Sequence, residues 1–361
     1  MRKALPASLA AVGVIALVAA PVLKYGVVPS QSQLPSDTDT IRNYAGTFDT
    51  LLNADALTGG GGPALLTGVP ASVEKHVTVE ATSGDVALLR DANVVKAADK
   101  VVASSTVDYS VDRKTLAGTA PDGLEGNNIV QPKGQTVTWP IDTERKDYVY
   151  WVQDTGQGVP AVYEGSERKG GLDTYVFTAN APAAPIVDEN VLASFPATLP
   201  KATLTALAGQ LGLADAATAA LGQLLAALPD EVPLSYTYAG TTKVFVEPET
   251  GLVIASERDE TRVVNIAATA ATPSVPLTPV WKLNFTSTDA SITAAASDAN
   301  DAVDRKQLYG TTLPIVLLVL GLGLLGAAAV LVRQGRGRTG SSNGGNVDSA
   351  PTQPSESVTG R

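Results

Sequence analysis

Val73-Glu-Lys-His-Val-Thr-Val-Glu-Ala81 alternates along its length. Val73, Val77 and Val79 fall on one side of an extended chain, and Glu74, His76, Thr78 and Glu80 on the other, the period of a half-buried strand. The passage Val77-Thr-Val-Glu-Ala-Thr-Ser-Gly-Asp-Val86 is echoed by Val244-Phe-Val-Glu-Pro-Glu-Thr-Gly-Leu-Val253. Val111-Asp112-Arg-Lys-Thr115 has the same skeleton without the glycine. In each, an apolar strand end meets an acidic residue that opens a turn, and in the two longer copies Ser/Thr-Gly closes it at positive φ. Asp112 and Glu247 therefore read as turn residues rather than as a catalytic carboxylate pair.

Working outward, Val101–Val111, Thr136–Trp139, Tyr148–Val152, Val162–Glu164, Thr174–Ala179, Leu234–Tyr238, Val244–Glu247, Leu252–Ser256 and Val280–Phe285 read likewise as short strands. Asp122-Gly123, Thr155-Gly156, Gly170-Gly171 and Thr250-Gly251 supply turns between them. Many strands of this kind predict a mainly β fold, an antiparallel β-barrel or a strongly curved sheet. Two accessory helices are predicted. In Pro200–Leu228, Leu204, Leu207, Leu211, Leu221, Leu224, Leu225 and Leu228 recur near one face, with a break at Gly209–Leu213. This stretch is expected to pack on the sheet, with a lid against lipid as the alternative. In Asp289–Leu308, Asp298, Asp301 and Asp304 lie three apart without the loop or closing Glu of a calcium site, so they read as a solvated face. Gly310 and Pro314 should then break the chain.

Two uncharged runs flank this region. Ala4–Leu23 follows Arg2 and Lys3, and Leu313–Val332 precedes Arg333, Arg336 and Arg338. Each is about one bilayer long, and the basic flanks place both ends in the cytoplasm. The expected organisation is a cytoplasmic N-terminus (1–3), a retained signal anchor (4–23), with a signal peptide cleaved after Val18-Ala19-Ala20 as the alternative, an extracytoplasmic domain (24–312), a transmembrane helix (313–332) and a disordered tail (333–361) rich in Gly, Ser, Thr and Pro. Gly321, Gly323 and Gly326 match a dinucleotide-binding pattern, but no strand precedes them. They read as small residues that admit a neighbouring helix, with Gly323 and Ala327 as the small-xxx-small pair.

Of 361 residues, 26 are Lys or Arg, 36 are Asp or Glu, one is His and none is Cys. No disulfide, thiol nucleophile or cysteine-ligated metal is possible. A Ser-His-Asp triad could use only His76, which falls on a polar strand face. The net charge of −10 argues against nucleic acid. It is unevenly placed: each end carries +2, leaving −14 for the segment between.

Aromatic residues concentrate at Trp139, Tyr148, Tyr150, Trp151, Tyr163, Tyr175 and Phe177. Strand geometry puts Tyr148 and Tyr150 on one face, Trp151 opposite, and Tyr175 with Phe177. They form either an ordinary core or the wall of an apolar cavity, and Trp139, Tyr148, Tyr150, Trp151, Tyr175 and Phe177 are the candidate lipid-binding residues.

The same region carries a resemblance. Trp139-Pro140, Glu144-Arg-Lys-Asp-Tyr-Val-Tyr-Trp151, Pro160-Ala-Val-Tyr-Glu-Gly165 and Gly171-Leu-Asp-Thr-Tyr-Val-Phe177 resemble the actinobacterial porin PorA family, as do Val111–Thr115 and Val246–Gly251. That family was formerly a domain of unknown function, and it includes a mycobacterial lipoglycan protein. The resemblance implies a signal anchor, an elongated extracytoplasmic barrel with internal cavities, a C-terminal span and a role in lipomannan and lipoarabinomannan synthesis. The acidic-Pro-x-Thr-Gly hairpin also resembles that of the lipid carriers LolA and LprG, a fold-level analogy.

Together these readings lead to an expected protein of the inner membrane that binds, presents or transfers a lipid or glycolipid, such as a phosphatidylinositol mannoside. It would need no cofactor and catalyse no reaction, and envelope glycosyltransferases would be its neighbours. The alternatives are a channel, as the family name suggests, and a scaffold for glycan synthases.

Overall fold

The structure is a computed structural model that describes residues 4–27, 33–57, 61–126, 128–208, 222–226, 228–268 and 273–337. The chain forms two units, one from the two ends (up to residue 29 and from 307) and one from residues 30–306.

The larger unit is built on one antiparallel sheet of twelve strands. In chain order these are β1 (Asp39–Leu52), β2 (Leu65–Leu66), β3 (Val69–Ser83), β4 (Val86–Ala97), β5 (Lys100–Asp112) and β6 (Tyr148–Val152). They continue as β7 (Gln157–Lys169), β8 (Leu172–Pro185), β9 (Thr198–Pro200), β10 (Glu231–Val246), β11 (Val253–Ile266) and β12 (Val275–Ser287). The spatial order is β5-β4-β3-β1-β12-β11-β10-β8-β7-β6, with β2 on β1 and β9 on β10.

The sheet is curved and not closed into a barrel, which selects one of the two expected forms. Its outer strands β5 and β6 do not pair with each other. Residues 130–135 run between them instead and touch each strand at a single point. Val130 N–H donates to Asp108 O at 2.8 Å and its carbonyl accepts from Ser110 N–H, while Gln135 N–H donates to Val149 O at 2.7 Å and its carbonyl accepts from Trp151 N–H. Pro132, which lacks an N–H, sits in the middle of this segment, so a continuous ladder cannot form there.

The strands are longer than the sequence reading expected. β1 and β4 were not expected at all, Thr136–Trp139 is not a strand, and Leu234–Tyr238 joins Val244–Val246 in one strand, β10. Ala239-Gly240-Thr241 looks like a turn, but the register shift between Tyr238 and Gly240 makes it a bulge inside β10. A Cβ at Gly240 would stand 2.6 Å from Tyr238 Oη and 2.8 Å from Asp259 O. Gly46 in β1 does similar work, since a Cβ there would meet Asn284 O at 1.9 Å. These close approaches and the bulges at Phe48/Thr50, Val79/Ala81 and Tyr163/Gly165 let the sheet coil on itself.

Three apolar clusters line the concave side. Trp139, Tyr150, Phe177, Tyr238 and Val244 belong to the first, Phe48, Val73, Trp281 and Leu283 to the second, and Val77, Leu89, Val107, Tyr109 and Trp151 to the third. Leu204, Leu225 and Leu228 pack on Val232 and Ile266 at the far end of β10 and β11. The helical part there is Lys201–Ala208 with residues 222–226, and Gly209–Leu213 and Leu221 lie outside the described residues. Helix Asp289–Gln307 sets Ala295, Ala296 and Ala299 against Ile254. Its Asp298 pairs with Arg42 at 2.5 Å. Among the described residues no group of three or more His, Asp or Glu could hold a metal ion.

The smaller unit pairs helices Ala4–Val22 and Leu313–Gly337, each long and apolar enough to cross a membrane. Gly310 and Pro314 do not break the chain: a π-helical turn, Leu308–Thr312, leads into the second helix. Gly321 faces Gly13, and Ala16, Ala20 and Ala328 are buried in the same seam. Gly323 and Gly326 have nothing within 4 Å of a Cβ, and Ala327 is exposed. The close-packed face is thus Gly321, Leu324, Leu325 and Ala328, of which only Gly321 belongs to the expected set.

Candidate functional site

The acidic turn after β10 positions the first candidate residue. Glu247 Oε1 accepts from the Glu249 N–H, and its Oε2 accepts from the Thr250 N–H and hydroxyl at 2.9 and 2.6 Å. This draws the chain into a turn that Gly251 closes at φ +74°. Trp139 N–H and Thr138 Oγ1 both donate to the Gly251 carbonyl, and Thr143 N–H donates to Pro248 O. A Cβ on Gly251 would stand 2.1 Å from the Trp139 carbonyl oxygen. The hairpin motif is therefore the seat of Trp139. Asp112 works in the same way, accepting from Lys114 N–H, Thr115 N–H and the Thr115 hydroxyl. Burial would raise its pKa, but these bonds hold it below the usual aspartate value.

Trp139 stacks on Phe177 at 5.6 Å and on Tyr150 at 6.2 Å between ring centres. Tyr148 meets Phe177 edge-on, and Tyr163 bridges Tyr175 and Phe177. Trp151 stands apart in the third cluster, where its Nε1–H donates to Gln153 Oε1 at 2.8 Å. So the aromatic candidates divide. Trp139, Tyr150 and Trp151 line an internal cavity of about 270 Å³, whereas Tyr148, Tyr175 and Phe177 form packed core behind it. Tyr150 and Trp151, expected on opposite faces, both reach this cavity.

The cavity lies where the three apolar clusters converge, with Val73, Val77, Leu89, Val107, Val244 and Leu283 among its walls. A belt of charge crosses it. Lys75 pairs with Asp91 at 2.5 Å. Arg262 pairs with Asp154 at 2.8 Å and Glu260 at 3.4 Å, and Glu260 also accepts from Trp281 Nε1–H. Asp188 accepts from Gln153 Nε2 and caps the short helix Glu189–Leu192. Arg258 differs from the rest: its Nη2 donates to Tyr150 Oη at 2.6 Å, and it has no carboxylate partner among the described residues. Its Nε and the Nε1 of Trp139 are both buried without a hydrogen-bond acceptor. Burial disfavours the Arg258 charge, but the phenols of Tyr150 and Tyr238 and the Glu260 carboxylate outweigh it, and its pKa is raised. Burial likewise raises Tyr44, Tyr109 and Tyr238, which stay neutral donors at any physiological pH.

A family profile described as Porin PorA matches residues 5–330, nearly the whole chain. The chain belongs to the PorA porin family. No curated protein matches it. This PorA-family protein is envelope-associated and β-rich, and it carries two helices that could be membrane spans. His76 pairs with Asp39 at 2.7 Å on an exposed strand face.

The charged belt was missed in the sequence. Its signal is in β11, Ser256-Glu-Arg-Asp-Glu-Thr-Arg262, where Arg258, Glu260 and Arg262 recur every second residue. In a strand, that spacing puts all three on one face. Their neighbours Glu257 and Asp259 are also charged, so hydrophobicity does not reveal which face is inside.

Proposed function

We infer that this protein is a tethered envelope protein whose curved sheet holds a lipid, or the acyl part of a glycolipid, in support of lipoglycan assembly. The observation that carries the reading is the half-open cavity on which three apolar clusters converge. Its volume of about 270 Å³ lies at the lower edge of small-molecule sites, ~300–1,000 Å³. That suits a single chain better than a whole multi-chain glycolipid. Two apolar helices would keep the domain at a membrane, where such ligands reside, and synthases of envelope glycans are its natural partners.

The family name favours a channel, and strand length does not argue against it, because β1, β3, β8, β10 and β11 each have 14 to 16 residues. What opposes a membrane-crossing barrel is the open sheet, since an unpaired edge in hydrocarbon leaves N–H and C=O groups without partners. The outward residues also lack an apolar band: Ile41, Val101, Val149 and Val162 are scattered singly, among exposed Glu164, Glu167, Glu257 and Asp259. An enzymatic role finds little support either, because Asp39, Asp112 and Glu247 are each engaged in pairing or turn bonds.

The full chain, purified in detergent and analysed by mass spectrometry of its extracted lipid, should carry a near-stoichiometric acyl-containing molecule. A lipid-free preparation that also fails to bind a fluorescent acyl probe would overturn the reading.

A further inference from the structure

Four cations line the cavity: Arg42, Lys75, Arg258 and Arg262. Arg42 pairs with Asp298, Lys75 with Asp91, and Arg262 with both Asp154 and Glu260, and Asp188 lines the cavity as well. A buried charge is expensive unless it is paired, and a phenol oxygen is a weaker partner than a carboxylate. Arg258, half-buried, hydrogen-bonds to that weaker partner and lies over the Phe285 ring, and its Nε is buried without an acceptor. Trp139, which also lines the cavity, has an indole N–H that is buried without an acceptor. Tyr150 connects the two residues, stacked on the Trp139 ring and bonded through its hydroxyl to Arg258. Nearby Glu260 is engaged by Arg262 and Trp281, so it does not supply the missing acceptor.

We propose that the cavity is an acid-recognition site: its occupant is an anionic amphiphile whose carboxylate or phosphate oxygens are received beside Tyr150 by Arg258 and the indole N–H of Trp139. The charged end of the ligand then lies inside the domain beside the belt, and the chain extends along the apolar walls. This deepens the lipid-binding reading and rests on it for the chain part alone. Selection follows from the same physics. An ester or alcohol can accept from the same donors but lacks the charge, so the charge-assisted bond to Arg258 favours acidic lipids over esters and alcohols of equal length.

The test compares cis-parinaric acid with its methyl ester on the full chain in detergent, and measures thermal stabilisation by acetate and inorganic phosphate. The acid should bind about tenfold or more tightly than the ester. Arg258→Gln should bring the two affinities together by weakening the acid only, and Trp139→Phe, which keeps the ring and removes the N–H, should narrow the gap. A parental far-ultraviolet circular dichroism spectrum and cooperative thermal unfolding show that each variant is folded. Equal affinity for acid and ester in the parent chain overturns this proposal and leaves the lipid reading standing, as does a preference undiminished in Arg258→Gln. Stabilisation by small anions, abolished in Arg258→Gln, without binding of either chain supports the acid site and overturns the lipid reading. If no probe and no anion acts, both fall.

Discussion

At the residue scale, the turn Glu247-Pro-Glu-Thr-Gly251 illustrates how a local motif builds a distant site. The carboxylate of Glu247 replaces two missing backbone acceptors, and Gly251 supplies a left-handed φ with no Cβ to strike the Trp139 backbone. Gly251→Ala imposes both a strained φ and a clash with main-chain oxygens that cannot rotate away. It should destabilise the domain by about 2 kcal/mol or more and shift the tryptophan emission as Trp139 leaves its stack. Thermal unfolding and fluorescence check this together, and a fully stable variant with parental emission would refute it. Of the site, Trp139, Tyr150 and Trp151 were legible in the sequence because aromatic residues crowd one region. Arg258 was not legible, because nothing local to β11 distinguishes a charge facing a cavity from one facing solvent.

At the element scale, the hairpins follow from alternation and turn chemistry, and β6 begins and ends where the sequence placed it. The longer strands went unread where polar residues face inward, as Arg42 and Tyr44 do in β1 and Asp91 and Asn93 in β4. Alternation signals burial only when the buried face is apolar. The terminal helices show the same limit. Their apolar length was evident, but the contact face was not, since both Gly321 and Gly323 are small. A Cβ on Gly321 would stand 2.8 Å from Leu17 Cγ and 2.9 Å from the Gly13 carbonyl oxygen. Gly321→Ile should therefore separate the two helices and lower the SDS concentration at which the detergent-solubilised unit unfolds. Gly323→Ile, with open space around it, should leave that concentration unchanged. Equal effects of the two substitutions would show that the seam lies elsewhere.

At the scale of the larger unit, one curved sheet whose two edge strands do not pair with each other lines a small cavity whose wall is part hydrocarbon and part charge. On the reading we propose, such a body encloses a ligand rather than conducting ions through a bilayer. The full chain reconstituted into planar membranes should give no stepwise conductance beyond that of a mock preparation; discrete channels that disappear with the chain would restore the family's name to a literal meaning. The sequence by itself determined the β class, the turns, the two apolar helices and the acidic charge between basic ends, because each depends on residues a few positions apart. Only the tertiary structure decided that the sheet stays open, that bulges and close glycine approaches coil it, and that Arg258 meets Tyr150 and Trp139 in a common cavity. The Arg258–Tyr150 bond joins strands more than a hundred residues apart, and no local period encodes it.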